Sequence, residues 1–206
     1  MLIIISGPSG SGKTPLTYRI IETYPNIKRI QSYTTRKVRT REVDGTYVYM
    51  STEEFEKKIK EGFFLEYNKV HKDQEYYGTG LDSYKNVMEE GNIAIKDIDV
   101  DSYKSIREKD KGNIYDIVGI YVTVKDRGVL FNRLRERGES EQTINIRLHD
   151  RVDYENAQAK YYDYIVYTDD FDKAVKKVEK ILDKELKKRK IKVEKSKEPP
   201  KITHMF

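Results

Sequence analysis

A chain of 206 residues without cysteine excludes disulfides, thiolate metal centres and cysteine nucleophiles, and its length suits one core with small insertions. Forty Lys and Arg against 35 acids leave a net charge of +5, which permits an anionic partner without demanding one. The hydrophobic fraction is only 37%, yet 17 Tyr and 6 Phe supply more aromatic surface than a disordered chain carries.

Leu2–Ser6 (LIIIS) is a short apolar run ending at Gly7 and reads as a buried strand. From Lys13 to about Tyr24, Leu16, Ile20 and Ile21 recur at helical spacing, with Pro15 early enough to be tolerated. Residues 27–31 form a second short strand, and Tyr47–Met50 another. Ser51 and Glu54 have capping-box spacing for a helix that Gly62 closes, and FFLEYNKV (63–70) follows as a strand. LDSYKNVMEEG (81–91) is a short helix, and NIAIKDID (92–99) a strand ending in acids. IYDIVGIYVTV (114–124) is the longest β-like run and is expected at the centre of the sheet. Residues 126–138 are helical, 140–161 form one long helical stretch, and 162–167 a last strand. Phe171–Leu186 places Ala174, Val175, Val178, Ile181, Leu182 and Leu186 on one face, as a closing helix does.

Strands alternating with helices predict an α/β fold with a parallel sheet flanked by helices. Residues 33–90 interrupt the alternation and read as an inserted mixed α+β subdomain. The core then comprises 1–32 and 91–186, and the lysine-rich 187–206, with Pro199-Pro200, reads as a mobile tail. No apolar run nears the roughly 20 residues of a membrane helix, and Met1–Ile5 lacks the length and basic region of a signal peptide. A cytoplasmic location is expected, with no membrane and no specific nucleic-acid partner. The tail lysines read as solvated rather than as a nucleic-acid or membrane contact.

GPSGSGKT (7–14) fits G-x-x-x-x-G-K-[ST] and sits between a strand and a helix, the context a phosphate loop requires. Gly7, Ser9, Gly10, Ser11 and Gly12 let backbone N–H groups converge on phosphate oxygens at the positive end of the helix. Lys13 can reach the β- and γ-phosphates, and Thr14 can ligate Mg²⁺. A metal-side acid is expected on a neighbouring strand. KDIDVD offers Asp97, Asp99 and Asp101, and alternation places 97 and 99 on one side; acids also mark strand ends and helix caps.

GPSGSGKT, SYTTRKVRTREVDG, STEEFEKKIKEGFFLEY, EYYGTG, KDIDVD and RLRERGESEQTINIRL occur in the order and approximate spacing of the guanylate kinases, which the chain resembles from about Ile3 to Leu182. The resemblance implies a P-loop NTPase core, an inserted nucleoside-monophosphate-binding subdomain (33–90) and a helical lid (about 126–150). It implies ATP with Mg²⁺ as phosphoryl donor and GMP or dGMP as acceptor. In the family, the arginines of T-T-R-x-P-R clamp the acceptor phosphate, which assigns Arg36 and Arg39. Tyr47 and Tyr77 would share that phosphate, and Ser32, Glu66, Thr79 and Asp99 would line the guanine pocket. Lid arginines in the family's places are Arg133, Arg137 and Arg147, acting with Lys13 and Arg36 on the transferred charge. Thr14 and Asp97 fall on the metal side. Thr168 stands where the family commonly has Asn near the adenine.

Chemistry supports the Glu66 assignment, because a carboxylate accepts from guanine N1–H and N2–H₂ and repels the adenine N1 lone pair. The chain departs from the family at Val38 (usually Pro), Arg41 (usually Gly), Thr168 and Lys96, a lysine in an otherwise apolar strand. Rival readings are another monophosphate kinase of the same fold and a non-catalytic guanylate-kinase-like binding module; the complete phosphate loop opposes the second. A homodimer is compatible with the sequence.

Overall fold

The computed structural model describes residues 1–38, 47–70 and 75–196. The core is a five-stranded parallel sheet of β1 (Leu2–Ser6), β2 (Ile27–Arg29), β7 (Ile93–Ile98), β8 (Ile117–Thr123) and β9 (Tyr164–Tyr167), in the order β2-β7-β1-β8-β9. The central strand is therefore β1, not the long run at 114–124. All five β1 residues are buried. Ile3 and Ile5 pack toward α1 (Lys13–Thr23) and α8 (Phe171–Lys188), whereas Leu2 and Ile4 pack toward α3 (Leu81–Glu89) and α4 (Val100–Lys109). Burial on both faces explains why the strand is apolar without alternation.

A second sheet, ordered β4-β3-β6-β5, comprises β3 (Ser32–Thr34), β4 (Tyr47–Tyr49), β5 (Phe64–Val70) and β6 (Glu75–Gly80). β3 runs parallel to β4 and antiparallel to β6, which runs antiparallel to β5. Behind it lies α2 (Thr52–Lys60), whose Ser51–Glu54 capping box forms as the sequence predicts. Phe55 of α2 stacks on Phe64 at 4.3 Å and on Tyr76 at 5.0 Å, giving this sheet its own small aromatic core. The second sheet thus begins at Ser32. Helix α3, expected within the insertion, packs on the core sheet through Leu81, Tyr84, Val87 and Met88.

The helical stretch expected over 140–161 is broken into α6 (Glu141–Asp150), α7 (Val152–Ala157) and a 3₁₀ turn (Ala159–Tyr161). It follows α5 (Arg127–Glu136), which is capped by Asp126 and closed at Gly138 with φ 80°. At the C-terminus the chain does not leave the core after Leu186. Arg189 pairs with Asp116 at 2.6 Å, Ile191 and Val193 pack against the main core, and Ser196 N–H donates to Thr23 O at 2.8 Å.

Candidate functional site

The turn between β1 and α1 is shaped by glycine. Gly7 has φ +145°, and a Cβ there would sit 1.9 Å from Val122 O. Gly12 is the α1 N-cap in the left-handed region, with φ 85° and no side-chain cap, so the first N–H groups of the helix face the loop. Lys13 Nζ folds back to Gly7 O at 2.6 Å and Pro8 O at 2.9 Å. Burial lowers the Lys13 pKa; Glu155, Asp97 and Asp99 oppose the shift and Arg137 adds to it. Groups from β7, α7 and the end of α5 therefore act on the loop lysine.

Asp97 lies on β7 beside Ile5 of β1, which puts it against the start of α1. Thr14 Oγ1 donates to Asp97 Oδ2 at 2.8 Å, while Arg29 Nε and Nη2 donate to Oδ1 at 3.0 and 2.8 Å. Burial alone would raise the Asp97 carboxyl, but Arg29 and Lys96 outweigh it and hold the group below its ordinary range. An ionised carboxylate beside a threonine hydroxyl is the hard oxygen set that a small divalent cation takes alongside phosphates. Asp99 does not continue the alternation. β7 ends at Ile98, and Asp99 caps α4 by accepting from Ser102 N–H at 2.8 Å. Its other oxygen accepts from Asn68 Nδ2 of β5 at 3.4 Å, joining the core sheet to the second sheet.

On the second sheet, Ser32 of β3 lies opposite Thr79 of β6, which lies opposite Glu66 of β5. Directly opposed residues share a face, so the three form one line across the strands. Thr79 Oγ1 donates to Glu66 Oε1 at 2.6 Å, and Lys96 Nζ of β7 donates to Ser32 Oγ and to Ile30 O. Burial raises the Glu66 pKa, against hydrogen bonds from Thr79 and Ser102 and the charge of Lys96. Thr34, Tyr77 and Asn68 form the next line on that face. Arg36 is 6% exposed, with its guanidinium 4.9 Å from the Tyr47 ring and 5.6 Å from Tyr49. Tyr47 meets Tyr77 edge-on at 6.2 Å, and burial with Glu75 pushes the Tyr77 hydroxyl up to about 12. Arg39 lies outside the described residues.

From α5, Arg133 Nη2 donates to Thr168 O at 2.6 Å, and its Nη1 donates to Gly10 O at 3.3 Å and Thr168 Oγ1 at 3.2 Å. Thr168 is fully buried and its hydroxyl donates to Ser11 O at 2.7 Å, so here it braces the loop from beneath. Arg137 is the exposed C-cap of α5. Arg147 belongs to α6, and its side chain lies outside the described part.

The guanylate kinase family model matches residues 1–185. The chain belongs to the guanylate kinase family. It is thereby a kinase, a nucleotide-binding transferase. Guanylate kinase of Rickettsia typhi is 36% identical over 184 residues, covering 88% of this chain and 90% of that protein. Guanylate kinase of Caldanaerobacter subterraneus is 38% identical over 184 residues, covering 88% and 86%. The crystal structure of guanylate kinase from Anaplasma phagocytophilum matches with a TM-score of 0.66 at 22% identity, covering 90% of this chain and 85% of that one, which shows a shared fold.

Two residues at this site are not assigned from the sequence. Arg29 fixes Asp97 but sits in an unremarkable strand, IKR, and only the β2–β7 pairing reveals it. Glu155 is 6% exposed and acts on Lys13 from α7; its signal is the Arg151–Glu155 i,i+4 pair, which reads as surface charge.

Proposed function

We propose that the chain transfers the γ-phosphoryl group of ATP to GMP, and also to dGMP, giving ADP and the nucleoside diphosphate. The line Ser32–Thr79–Glu66, on a sheet joined to the core through Asn68–Asp99, carries this reading. Glu66 accepts from guanine N1–H and N2–H₂, with Thr79 orienting its carboxylate. Arg36, held against Tyr47 and Tyr49, and Arg39 take the acceptor phosphate, and Tyr77 adds a hydroxyl there.

An acceptor phosphate oxygen attacks the γ-phosphorus in line, and the bond to the β–γ bridging oxygen breaks as ADP leaves. No covalent intermediate on the protein is needed. Lys13 and the loop N–H groups hold the donor phosphates, while Arg133, Arg137 and Arg147 from the lid bear on the charge in transit. Mg²⁺ bound with ATP would supply positive charge against the donor phosphates. Thr14 and Asp97 would hold it, Asp97 being kept ionised by Arg29. Thr168 supports the loop near the adenine end. No helix among the described residues is long and apolar enough to cross a membrane. With no transmembrane helix there and a nucleotide substrate, the cytoplasm is the compartment we assign.

The test is ADP release measured with a panel of ribo- and deoxymonophosphates. GMP is expected to exceed AMP by orders of magnitude, and Glu66→Ala to cost far more with GMP than with AMP. Equal turnover of AMP and GMP by the wild type would sink the guanine assignment. Absence of ATP binding by calorimetry would instead favour a non-catalytic module.

A further inference from the structure

Lys96 is a lysine inside the core sheet, and the established chemistry does not use it. Its neighbours along β7 are Ile95 and Asp97, it pairs with Ile4 of β1, and it is 2% exposed. A buried ammonium carries a heavy desolvation cost unless it is well paired. The side chain runs out of the core sheet toward the second one. There Nζ donates to Ile30 O at 3.0 Å and to Ser32 Oγ, and its charge acts on Glu66. Two ends of the base-binding line, Ser32 and Glu66, thus answer to one lysine from outside that sheet.

A serine hydroxyl has one proton and can both donate and accept. With an ammonium donating to its oxygen, the O–H points away from Lys96, and accepting from a cation strengthens it as a donor. Among the described residues, Lys96 is the hydrogen-bond partner given to the Ser32 hydroxyl, so its proton is available to a ligand on the face shared with Thr79 and Glu66. Guanine presents O6 and N7 as acceptors along the edge next to N1–H, whereas adenine presents an amino donor at the 6-position.

We propose that Lys96 is a specificity-determining positioning residue, which by donating to Ser32 Oγ turns that hydroxyl toward the bound base and selects an acceptor at the 6-position. This rests on the reading of Ser32 and Glu66 as base-binding residues. The selection is built from two sides. Glu66 takes the donors of the base, and Ser32, polarised by Lys96, takes the acceptor beside them.

The experiment compares GMP with 6-thio-GMP, which keeps N1–H and N2–H₂ and replaces O6 by the weaker acceptor sulfur. Steady-state kcat and KM are measured for wild type, Lys96→Met and Ser32→Ala, with thermal unfolding of each. In Lys96→Met the preference for GMP over 6-thio-GMP is expected to shrink by about twofold to tenfold, the size of one hydrogen bond. The change is expected in KM for GMP, with kcat and KM for ATP held. Ser32→Ala is expected to flatten the same ratio while Lys96 stays in place, and the double variant to add little. An unchanged ratio in a folded Lys96→Met would overturn the proposal and leave Lys96 a structural residue. If Lys96→Met does not fold, an unchanged ratio in Ser32→Ala overturns it. Failure of the wild type to phosphorylate GMP overturns the guanylate kinase reading itself, which separates the two failures.

Discussion

Replacing Arg29 by Met is expected to destabilise the protein by about 3–5 kcal/mol, because it strands a buried carboxylate. Arg29 and Asp97 side chains are 12% and 9% exposed, and the guanidinium gives Asp97 two hydrogen bonds at 2.8 and 3.0 Å. Removing the guanidinium leaves Asp97 with Thr14 and Lys96, neither of which reaches Oδ1 by a hydrogen bond among the described residues. For a chain of this size 1 kcal/mol moves Tm by about 2–4 °C, so the variant should melt about 6–20 °C lower. The assay is thermal unfolding of Arg29→Met, Asp97→Leu and the double variant at neutral pH. An apolar pair in place of a buried ion pair is often neutral or better, so the double variant should recover most of the loss. The pair also has an acid signature. The Asp97 pKa is depressed from 3.8, so its contribution is complete above that pH and is lost as pH falls through the lower folded value. Arg29→Met should lack this acid-labile component. A Tm within about 2 °C of wild type, or a double variant as unstable as Arg29→Met, would refute the reasoning.

Glu155→Gln is expected to gain stability as pH rises above 4.5. Burial raises the pKa of the native carboxyl, so wild type carries a penalty that grows from the unfolded pKa through the folded one; denaturant titrations at acid and neutral pH check this, and a gap that does not widen with pH speaks against it. Gly7→Ala should abolish ATP binding by calorimetry while leaving a folded core, since its Cβ would lie 1.9 Å from Val122 O and the loop must move. Arg133→Ala removes a contact to both the loop and Thr168, and kcat should fall about 100-fold or more; a fall confined to KM would disprove a role in transferring charge. Ending the chain at Leu186 should cost about 1–3 kcal/mol through lost burial of Ile191 and Val193 and the lost Arg189–Asp116 pair, with kcat preserved, as thermal unfolding and steady-state kinetics would show.

Local chemistry made much of this structure legible. Alternating strands and helices mark the parallel core, and the glycines of 7–12 mark the tight turn between β1 and α1, because both follow from short-range backbone rules. The Ser51–Glu54 cap is equally local. What escaped depends on partners far apart in sequence. β3 is three residues long, and it is a strand only because β6 and β4 flank it. β8 reads as central because it is uniformly apolar, but β1 is equally buried and lies between it and β7. The break at Arg151 interrupts a pattern that propensity alone would continue, and α4 hides behind the acids that precede it. The tail misleads for a related reason. Its lysines conceal Ile191 and Val193, which find the main core.

Four charged groups meet where the two sheets join, and their order explains the arrangement better than any one pair. Asp97 is held by Arg29 beside the start of α1, and Glu66 is held by Thr79 on the second sheet. Lys96 lies between; burial and Arg29 bring its pKa down to about 7, and in its charged form it acts on both carboxylates. A carboxylate that must stay ionised while buried needs a cation close by, and each of these two sites has one supplied from a core strand, Arg29 from β2 and Lys96 from β7. The consequence is directional. Neutralising Lys96 should raise the Glu66 pKa further and weaken recognition of guanine N1–H, whereas neutralising Arg29 should act on Asp97 and leave the base preference intact. A GMP-to-AMP preference that falls equally in Arg29→Met and Lys96→Met would show that the two sides share one electrostatic field rather than two local pairings.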